Sequence, residues 1–318
     1  MSAASDTIRA ARLHRHGEPL VAEQVELAAP AGDEIRVELE FGGVNPIDMY
    51  IALGRVAPEG PLPRTLGGEA AGTAGGRRVL VSGEGLGAVR DGVWAQAAIV
   101  AEQSVVEIPD GVGSRDAAAI GIAGLTALEV VRDLARVSGG DRVLVLGASG
   151  GVGSMIVSLA RAAGATVWGQ TGSAAKVEAI IAQGADRAIV CGPFELGSLI
   201  GEFEPTVVFD GLGDGFVAPS LEAIAPHGRI VSFGTSAGPE VNFNMQVLYR
   251  KMVSVLGYGG MRLTRDERRA GLRDALAAIA DGSIRVRVDA VLSLEDVNEA
   301  FARLRDRRVQ GNLLLDLT

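Results

Sequence analysis

A glycine-rich stretch, GASGGVG (147–153), contains the residue types and spacing that point most directly to chemistry. It follows a short apolar run, VLVL (143–146), and precedes an alanine-rich segment with helical periodicity. A strand, a glycine-rich turn and a helix in this order form a phosphate cradle, because glycines admit a pyrophosphate and the helix start offers free N–H groups. Against the pattern G-x-G-x-x-G, Ala148 takes the first place, with Gly150 and Gly153 in the second and third. The stretch therefore predicts a dinucleotide-binding turn.

The segment GQTGSAAK (169–176), after the next predicted strand, indicates which dinucleotide binds. An NAD-selective fold places a carboxylate here to bind the ribose 2′-OH, but no carboxylate precedes Glu178. The hydroxyls of Thr171 and Ser173 and the cation of Lys176 suit a 2′-phosphate, which a carboxylate would repel. The pattern favours NADPH. The alternative is that Ser173 caps the next helix and Lys176 is a solvated surface charge.

The chain lacks the residue types of a catalytic zinc site. A zinc alcohol dehydrogenase needs a Cys or His early in the chain, a His-Glu pair after a glycine, and a later Cys or Asp. Here Asn45 stands in the first region and Gly68-Glu69 in the second, while the single cysteine, Cys191, lies in the predicted nucleotide-binding part. The three histidines are expected to be structural. We therefore expect no metal site.

The composition is that of a globular protein in a reducing compartment. The chain has 318 residues, of which 47% are hydrophobic and 22% charged, so it can bury a large core in two domains. A net charge of −9 argues against a general affinity for nucleic acid or anionic membranes. The single cysteine permits no internal disulfide and no apolar signal sequence is found, so we expect a cytoplasmic protein. A strand, a turn and a helix explain the uncharged run 143–160 better than a membrane span does.

The first part of the chain has the pattern of an antiparallel sheet. Residues 7–44 alternate between apolar and polar side chains in short runs, as in EIRVELEF (34–41). A short helical turn is expected at 49–54 and a proline-rich loop at 55–68. Further strands are expected near 77–81, 93–100 and 105–108, and helical periodicity then spans 108–137.

A strict alternation of strands and helices begins at residue 142. The predicted strands are 143–146, 166–170, 187–190, 206–210, 229–234 and 253–258. The intervening helices are expected near 152–164, 174–184, 195–201, 216–225 and 245–250. Six strands in this alternation predict an α/β fold with a doubly wound parallel sheet of the Rossmann type.

The last 55 residues return to a mixed pattern. Helices are expected near 265–281 and 294–307, and strands near 285–291 and 312–317. The simplest topology returns this tail to the first domain. We therefore expect a β-rich catalytic domain from 1–121 and 263–318, and a Rossmann dinucleotide-binding domain from 122–262.

Five segments give the chain a resemblance to a known family over nearly its whole length. They are GGVNPIDMY (42–50), LGGEAAGT (66–73), AAAIGIAGLTAL (117–128), GASGGVGS (147–154) and QGNLLL (310–315). In this order they resemble the medium-chain dehydrogenase/reductases, in particular the zinc-free quinone oxidoreductases of the zeta-crystallin group. The resemblance implies a GroES-like β-rich domain, reduction of quinones or activated C=C bonds with NADPH, and a homodimer. The segments MYIALG and LGGEAAG also resemble the enoyl reductase domains of polyketide synthases.

The resemblance also implies which residues form the site. Asn45 and Tyr50 are expected to orient the substrate and stabilise an oxyanion, with Asn45 also at the nicotinamide and Tyr50 a proton donor or a packed aromatic. Lys176 falls where the similar NADPH enzymes place a phosphate-binding lysine, and Asp48 is expected to brace its turn. The further cofactor-binding residues expected are Thr126, Ala148, Ser149, Gly150, Gly151, Val152, Gly153, Thr171, Ser173, Gly211, Leu212, Phe233, Gly234, Thr235, Gly257 and Tyr258.

Three functions remain open from the sequence. The first is a zinc-independent, NADPH-dependent reductase of quinones or α,β-unsaturated carbonyls. The second is a reductase of enoyl thioesters, and the third is an NADPH-binding, crystallin-like or RNA-binding protein with little turnover. The region 74–92 is shorter than is usual in the family, which weakens any inference about the substrate. VSVLGYGG (253–260) is a candidate edge strand for pairing across a dimer.

Overall fold

A computed structural model of the protein describes residues 6–318, which form two compact units. The first unit comprises the described residues up to Leu125 together with Leu263–Asp281 and Val286–Thr318. The second comprises Thr126–Arg262 and Gly282–Arg285. Each unit has its own sheet or sheets and its own buried apolar cluster.

The strands are β1 Asp6–Leu13, β2 Val21–Leu27, β3 Glu34–Val44, β4 Arg64–Thr65, β5 Glu69–Ala74, β6 Arg77–Ser82, β7 Ala97–Ala101, β8 Val105–Glu107, β9 Arg142–Val145, β10 Thr166–Thr171, β11 Arg187–Val190, β12 Val207–Asp210, β13 Arg229–Ser232, β14 Ser254–Gly257, β15 Val288–Ser293 and β16 Asn312–Asp316. The α-helices are α1 Pro46–Ala52, α2 Ser114–Ala117, α3 Ala123–Leu128, α4 Gly151–Ala162, α5 Val177–Gln183, α6 Pro193–Ile200, α7 Val217–Ala223, α8 Met245–Lys251, α9 Arg265–Ala280 and α10 Val297–Arg305.

The first unit is built on two β-sheets. Among the described residues, the larger has the strand order β15-β16-β3-β5-β6-β8, with β7 also pairing to β3, and the smaller has the order β2-β1-β4. Strand β3 is central because its 11 residues pair with β7 at one end and with β5 and β16 at the other. Strand β16 brings the end of the chain into this sheet, pairing Leu313 with Val44 and Leu315 with Gly42. The predicted return of the tail to the β-rich part is confirmed.

The second unit is a doubly wound parallel sheet, as the sequence predicts. In the part of the chain that the structure describes, its strand order is β11-β10-β9-β12-β13-β14, and all the pairings are parallel. Val143–Val145 in β9 and Val207–Phe209 in β12 are fully buried, which explains why these central strands are continuous apolar runs. The order reverses between β9 and β12, and the carboxyl ends of strands at such a point bind ligands in this class of fold.

Several elements differ from the sequence predictions. Helix α1 begins at Pro46 rather than at residue 49, because proline fits the first helical position and Asn45 precedes it in an extended conformation. Strand β5 was not predicted, since its alanines and glycine lack the β-branched residues typical of strands. The helical periodicity over 108–137 corresponds to α2, α3 and a π-helical segment, Glu129–Leu134. No helix within residues 6–318 combines the length and the apolar character that crossing a membrane requires.

Candidate functional site

The turn between β9 and α4 has the geometry of a phosphate cradle. Gly147 has a left-handed backbone conformation, with φ of +67°, which favours glycine at this position. The position of the turn that requires glycine is therefore 147, and its neighbour can be an alanine, Ala148. A Cβ on Gly153 would lie 3.0 Å from Cα of Ala148 and closer still to the Gly147 carbonyl, so only glycine allows helix and turn to pack this tightly. Ser154 is the first residue whose N–H reaches an acceptor one helical turn back, the carbonyl of Gly150 at 2.9 Å. The earlier N–H groups of this 12-residue helix lie at its open end, where an anion is stabilised.

A buried glutamine, Gln170 on β10, holds this turn in place. Its Oε1 accepts the N–H of Gly147 at 3.0 Å, and its Nε2 donates to the carbonyl of Cys191 at 2.7 Å. The backbone carbonyl of Gln170 also accepts the N–H of Ala148 at 3.0 Å. The sequence interpretation did not single out Gln170, although it lies within the GQTGSAAK segment, because a single glutamine in a strand carries no motif signal.

Three predicted 2′-phosphate ligands lie at the end of β10 and on the turn that follows it. Thr171 is buried at the strand end, and its Oγ1 accepts the N–H of Ser173 at 3.3 Å. The N–H of Lys176 donates to the carbonyl of Ser173 at 3.1 Å, which closes the turn ahead of α5. Within the described residues, the Ser173 side chain makes no capping hydrogen bond, so the capping alternative finds no support. Two hydroxyls and an ammonium group thus stand on one short segment without a carboxylate.

The other predicted cofactor residues of this unit lie after the strand ends of the sheet. Gly211 and Leu212 follow β12, Phe233, Gly234 and Thr235 follow β13, and Gly257 and Tyr258 stand at the end of β14. Ser149, Gly151 and Val152 belong to the phosphate turn and the first turn of α4, and Thr126 is a half-buried residue of α3.

Asp210, the last residue of β12, organises the loop beside it. Its buried carboxylate accepts the N–H of Leu212 at 2.8 Å and the N–H of Gly213 at 3.0 Å. Burial raises the pKa of this carboxyl group, and the two backbone N–H donors oppose that shift. Asp210, a residue of the strand, therefore holds in place the loop that carries the predicted nicotinamide contacts.

In the first unit, Asn45 belongs to a buried polar cluster with Asp48 and Glu69. The Asp48 Oδ2 accepts the backbone N–H of Asn45 at 2.8 Å, so Asp48 braces the start of α1 as the sequence predicts. The Asn45 Nδ2 donates to Glu69 Oε1 at 2.5 Å, and Glu69 Oε2 accepts the N–H of Ile122 at 2.6 Å. Tyr50, the other predicted catalytic residue, is half-buried on the same helix.

Both carboxyl groups of this cluster have strongly shifted acidities. Burial raises the pKa of Glu69 to about 8, opposed by the hydrogen bond from Asn45 and reinforced by the nearby charge of Asp48. Burial likewise raises the pKa of Asp48 to about 7, against hydrogen bonds from the backbone of Asn45 and Gly68. The sequence interpretation noted Glu69 only for its place in a zinc pattern and missed its contact with Asn45.

The donor atoms of this cluster do not suit a zinc ion. Glu69 and Asp48 have their oxygens committed to N–H donors, and the remaining member is an amide whose nitrogen is itself a donor. No group of three or more His, Cys, Asp or Glu within residues 6–318 is arranged to hold a metal ion.

Comparisons with known proteins agree on a family. Residues 151–281 match the family described as zinc-binding dehydrogenase. The chain is 33% identical to a quinone oxidoreductase of Salmonella typhimurium over 327 aligned positions, which cover 95% of this chain and 97% of the relative. A crystal structure of Escherichia coli quinone oxidoreductase complexed with NADPH superimposes with a TM-score of 0.82 at 29% identity, covering 98% of this chain and all of that one.

A more distant relative is part of a larger enzyme. The chain is 28% identical over 313 positions to a phenolphthiocerol/phthiocerol polyketide synthase of Mycobacterium tuberculosis, covering 92% of this chain but 14% of that protein.

The two-unit α/β fold with a dinucleotide-type turn defines an oxidoreductase of the medium-chain dehydrogenase/reductase class. The chain belongs to the quinone oxidoreductase family of that class.

Proposed function

We propose that the protein is an NADPH-dependent reductase of quinones or α,β-unsaturated carbonyl compounds that works without zinc. The observation that carries the proposal is the segment from the end of β10 to the start of α5, where local hydrogen bonds join Thr171 to Ser173 and Ser173 to Lys176. Hydroxyls and a cation without a carboxylate favour a ribose 2′-phosphate over a free 2′-hydroxyl. The Escherichia coli relative was crystallised as a complex with NADPH, which supports the same cofactor.

The phosphate turn fits the pyrophosphate of this cofactor. Because Gly153 has no side chain, the helix packs closely against the turn and the pyrophosphate can approach the backbone. The start of α4 supplies N–H donors for it. Gly147, Gln170 and Asp210 hold the turn and its neighbouring loop before any ligand arrives. When bound, NADPH supplies a hydride from its nicotinamide ring to an electron-poor carbon.

The residues of the first unit then act on the substrate. Hydride addition to a quinone or an enone places negative charge on a carbonyl oxygen, which is a strong hydrogen-bond acceptor. Asn45 and Tyr50 carry the polar groups that we assign to orienting the substrate and stabilising this charge, with the Tyr50 hydroxyl as a candidate proton source. The solvent can also protonate a quinone product, so the reaction does not require a dedicated acid.

The experiment is a substrate panel followed by the oxidation of NADPH. We expect turnover with 1,4-benzoquinone and with a simple enone, and we expect the rate to be unaffected by a zinc chelator. A panel on which no quinone or enone is reduced would sink the proposal, and loss of activity with the chelator would overturn its zinc-independent part. NADH serves as the matched cofactor control.

A second candidate, reduction of enoyl thioesters, is favoured by the likeness to the polyketide synthase. The two candidates share hydride transfer to an activated C=C bond and differ in the group that activates it. A crotonyl thioester in the same panel separates them, because an enoyl reductase prefers it to quinones.

We also propose that the protein forms a homodimer through the edge of the six-stranded sheet at β14, where Val255 is 45% exposed.

A further inference from the structure

We propose that Glu69 is a positioning residue that sets the direction of the Asn45 side-chain amide, and so decides whether Asn45 presents a donor or an acceptor to the substrate. The inference rests on the proposed function only for its catalytic consequence. The contact itself belongs to the first unit and can be tested without any substrate.

The backbone of Asn45 is held on both sides, which leaves its side-chain amide as the part that can turn. Its N–H is bound by Asp48 Oδ2 at 2.8 Å, and its carbonyl accepts the N–H of Asp48 at 3.1 Å. Asn45 is only 7% exposed. The direction of the amide therefore decides which of its ends, the oxygen or the NH2 group, faces away from Glu69; an NH2 group bonded to Glu69 through one hydrogen keeps its second one.

The two oxygens of Glu69 are not equivalent. Oε2 accepts the N–H of Ile122 at 2.6 Å, and the backbone of Gly121 is also hydrogen-bonded to this carboxyl group. A backbone N–H can only donate, so Oε2 stays an acceptor whether or not the carboxyl group carries a proton. Oε1, which faces Asn45 Nδ2 at 2.5 Å, is the oxygen that takes up the proton.

Protonation of Oε1 reverses its hydrogen bond with Asn45. An ionised Glu69 accepts from Nδ2, so the end of the Asn45 amide that faces away from Glu69 is its oxygen, an acceptor. A protonated Glu69 instead donates from Oε1, so the Asn45 amide must turn over and present its oxygen to Glu69. The NH2 group of Asn45 is then free, and an NH2 group is the donor that a developing oxyanion needs.

The surroundings of Glu69 bring the pKa of its carboxyl group close to neutral pH, and the hydrogen bond with Asn45 reverses in the same pH range. The carboxyl group is 1% exposed, and its burial raises its pKa to about 8. Among the described residues packed against it, Asp48 on α1 is the charged neighbour that shifts it, and it favours the protonated form of Glu69. Gly43 on β3 and Gly121 lie against the two oxygens of Glu69, and Ser82 on β6 pairs with it in the sheet; none of these three is titratable. A Cβ on Gly43 would collide with Glu69 Oε1, so the sheet is built to admit this carboxyl group.

The direct test follows the Asn45 amide in the free protein by NMR. The chain has five asparagines, so selective ¹⁵N labelling of asparagine gives a small set of side-chain amide signals, and Asn45→Ala identifies the pair from Asn45. We expect that pair to titrate with a midpoint near the Glu69 pKa of about 8 and to lose this titration in Glu69→Gln. The half-buried Glu40, on the same strand as Gly43, provides the control variant Glu40→Gln, which should leave the titration unchanged.

Three results would overturn the proposal. The first is an Asn45 signal that does not move between about pH 6 and about pH 10, a range that spans the expected titration. The second is a titration that persists unchanged in Glu69→Gln. The third is a titration that persists in Glu69→Gln and disappears in Asp48→Asn, which would assign the effect to Asp48.

Kinetics supply the catalytic half of the test through a double-mutant cycle. In Glu69→Gln the oxygen of the introduced amide must serve the Ile122 N–H, so its NH2 group faces Asn45 and holds the Asn45 amide in one direction. We expect kcat with 1,4-benzoquinone to lose its inflection near pH 8 in this variant. We expect Glu69→Gln to change kcat by less than about twofold in the Asn45→Ala background, because coupled residues are not additive.

Equal effects of Glu69→Gln in both backgrounds would indicate a purely structural role and reject the proposal. Thermal unfolding and NADPH fluorescence, measured on every variant, show that the comparison is made between folded proteins that bind the cofactor. If the wild-type protein reduces no quinone or enone, the proposed function fails while the NMR titration still decides the role of Glu69.

Discussion

The side-chain Oε1 of Gln170 accepts the N–H of Gly147 at 3.0 Å, so a buried residue of one strand fixes the first residue of the phosphate turn that follows another. The same side chain reaches the carbonyl of Cys191 at the end of β11. Three consecutive strand ends of the sheet are thereby joined by a single amide. The turn is thus organised before a cofactor binds.

Replacement of Gln170 by leucine tests this organisation. Leucine has a similar size but neither donates nor accepts a hydrogen bond, so the Gly147 N–H and the Cys191 carbonyl lose their partner. We expect a loss of about 1–3 kcal/mol in the free energy of unfolding and a weakening of NADPH binding by about tenfold. Urea denaturation and fluorescence titration measure the two effects. Unchanged NADPH affinity in a destabilised protein would show that Gln170 serves the fold alone.

Lys176→Ala tests the 2′-phosphate assignment. Loss of a charge-assisted contact should weaken NADPH by about tenfold to a hundredfold and leave NADH nearly unaffected, because NADH lacks the phosphate. The chain has only two lysines, and the other, Lys251, donates to the carbonyl of Ile224 after α7. Lys251→Ala is therefore the matched control and should preserve the ratio of the two affinities. Equal weakening of NADPH and NADH in Lys176→Ala would contradict the assignment.

The raised pKa of Glu69 predicts how stability depends on pH. Its ordinary value is 4.5 and its value in the folded protein is about 8, so between these pH values the folded state holds more protons than the unfolded state. The free energy of unfolding therefore falls as pH rises through this window, by up to about 1.4 kcal/mol per pH unit for one group. The contribution is fully present below pH 4.5 and fully lost above about pH 8.

Glu69→Gln removes this contribution and should flatten the pH dependence of stability between about pH 5 and about pH 8. Urea denaturation of the wild type and the variant across this window provides the measurement. Asp48 has a raised pKa of about 7 and still makes the free energy of unfolding depend on pH below that value. The stability of the variant should therefore not become fully independent of pH. Parallel curves for the two proteins would mean that Glu69 is ionised throughout.

The edge of the six-stranded sheet at β14 predicts the behaviour of the proposed dimer. Val255 is 45% exposed on this strand, and Tyr249 and Met252, at the end of the helix that precedes the strand, are each 58% exposed. Val255→Lys should convert a dimer to a monomer, since a lysine on an edge strand opposes pairing with another chain. Light scattering after size exclusion measures the mass. Ile181→Lys, at a similarly exposed apolar residue of α5, should leave the mass unchanged.

Most of the dinucleotide-binding half could be predicted from the sequence, because its signals are local. Apolar runs at β9 and β12 indicate strands buried on both faces, and the glycine-rich residues 147–153 are a continuous segment that spans the turn and the start of α4. The segment from Thr171 to Lys176 closes its own turn with two local hydrogen bonds, so its residue types alone allow a prediction of what it binds. Strand β5 was missed, because alanines and glycine become a strand only through pairing with β3 and β6.

The sequence by itself therefore determined the class of fold and led to the predictions of a phosphate turn and of a preference for a 2′-phosphate, since each depends on residues within a few positions of one another. The environment of Asn45 was decided only by tertiary structure. Asn45 and Glu69 are 24 positions apart, and they meet because β3 and β5 pair with Gly42 opposite Ala70. The pKa of Glu69 depends on how much water that pairing excludes, a quantity that no local pattern of residues records.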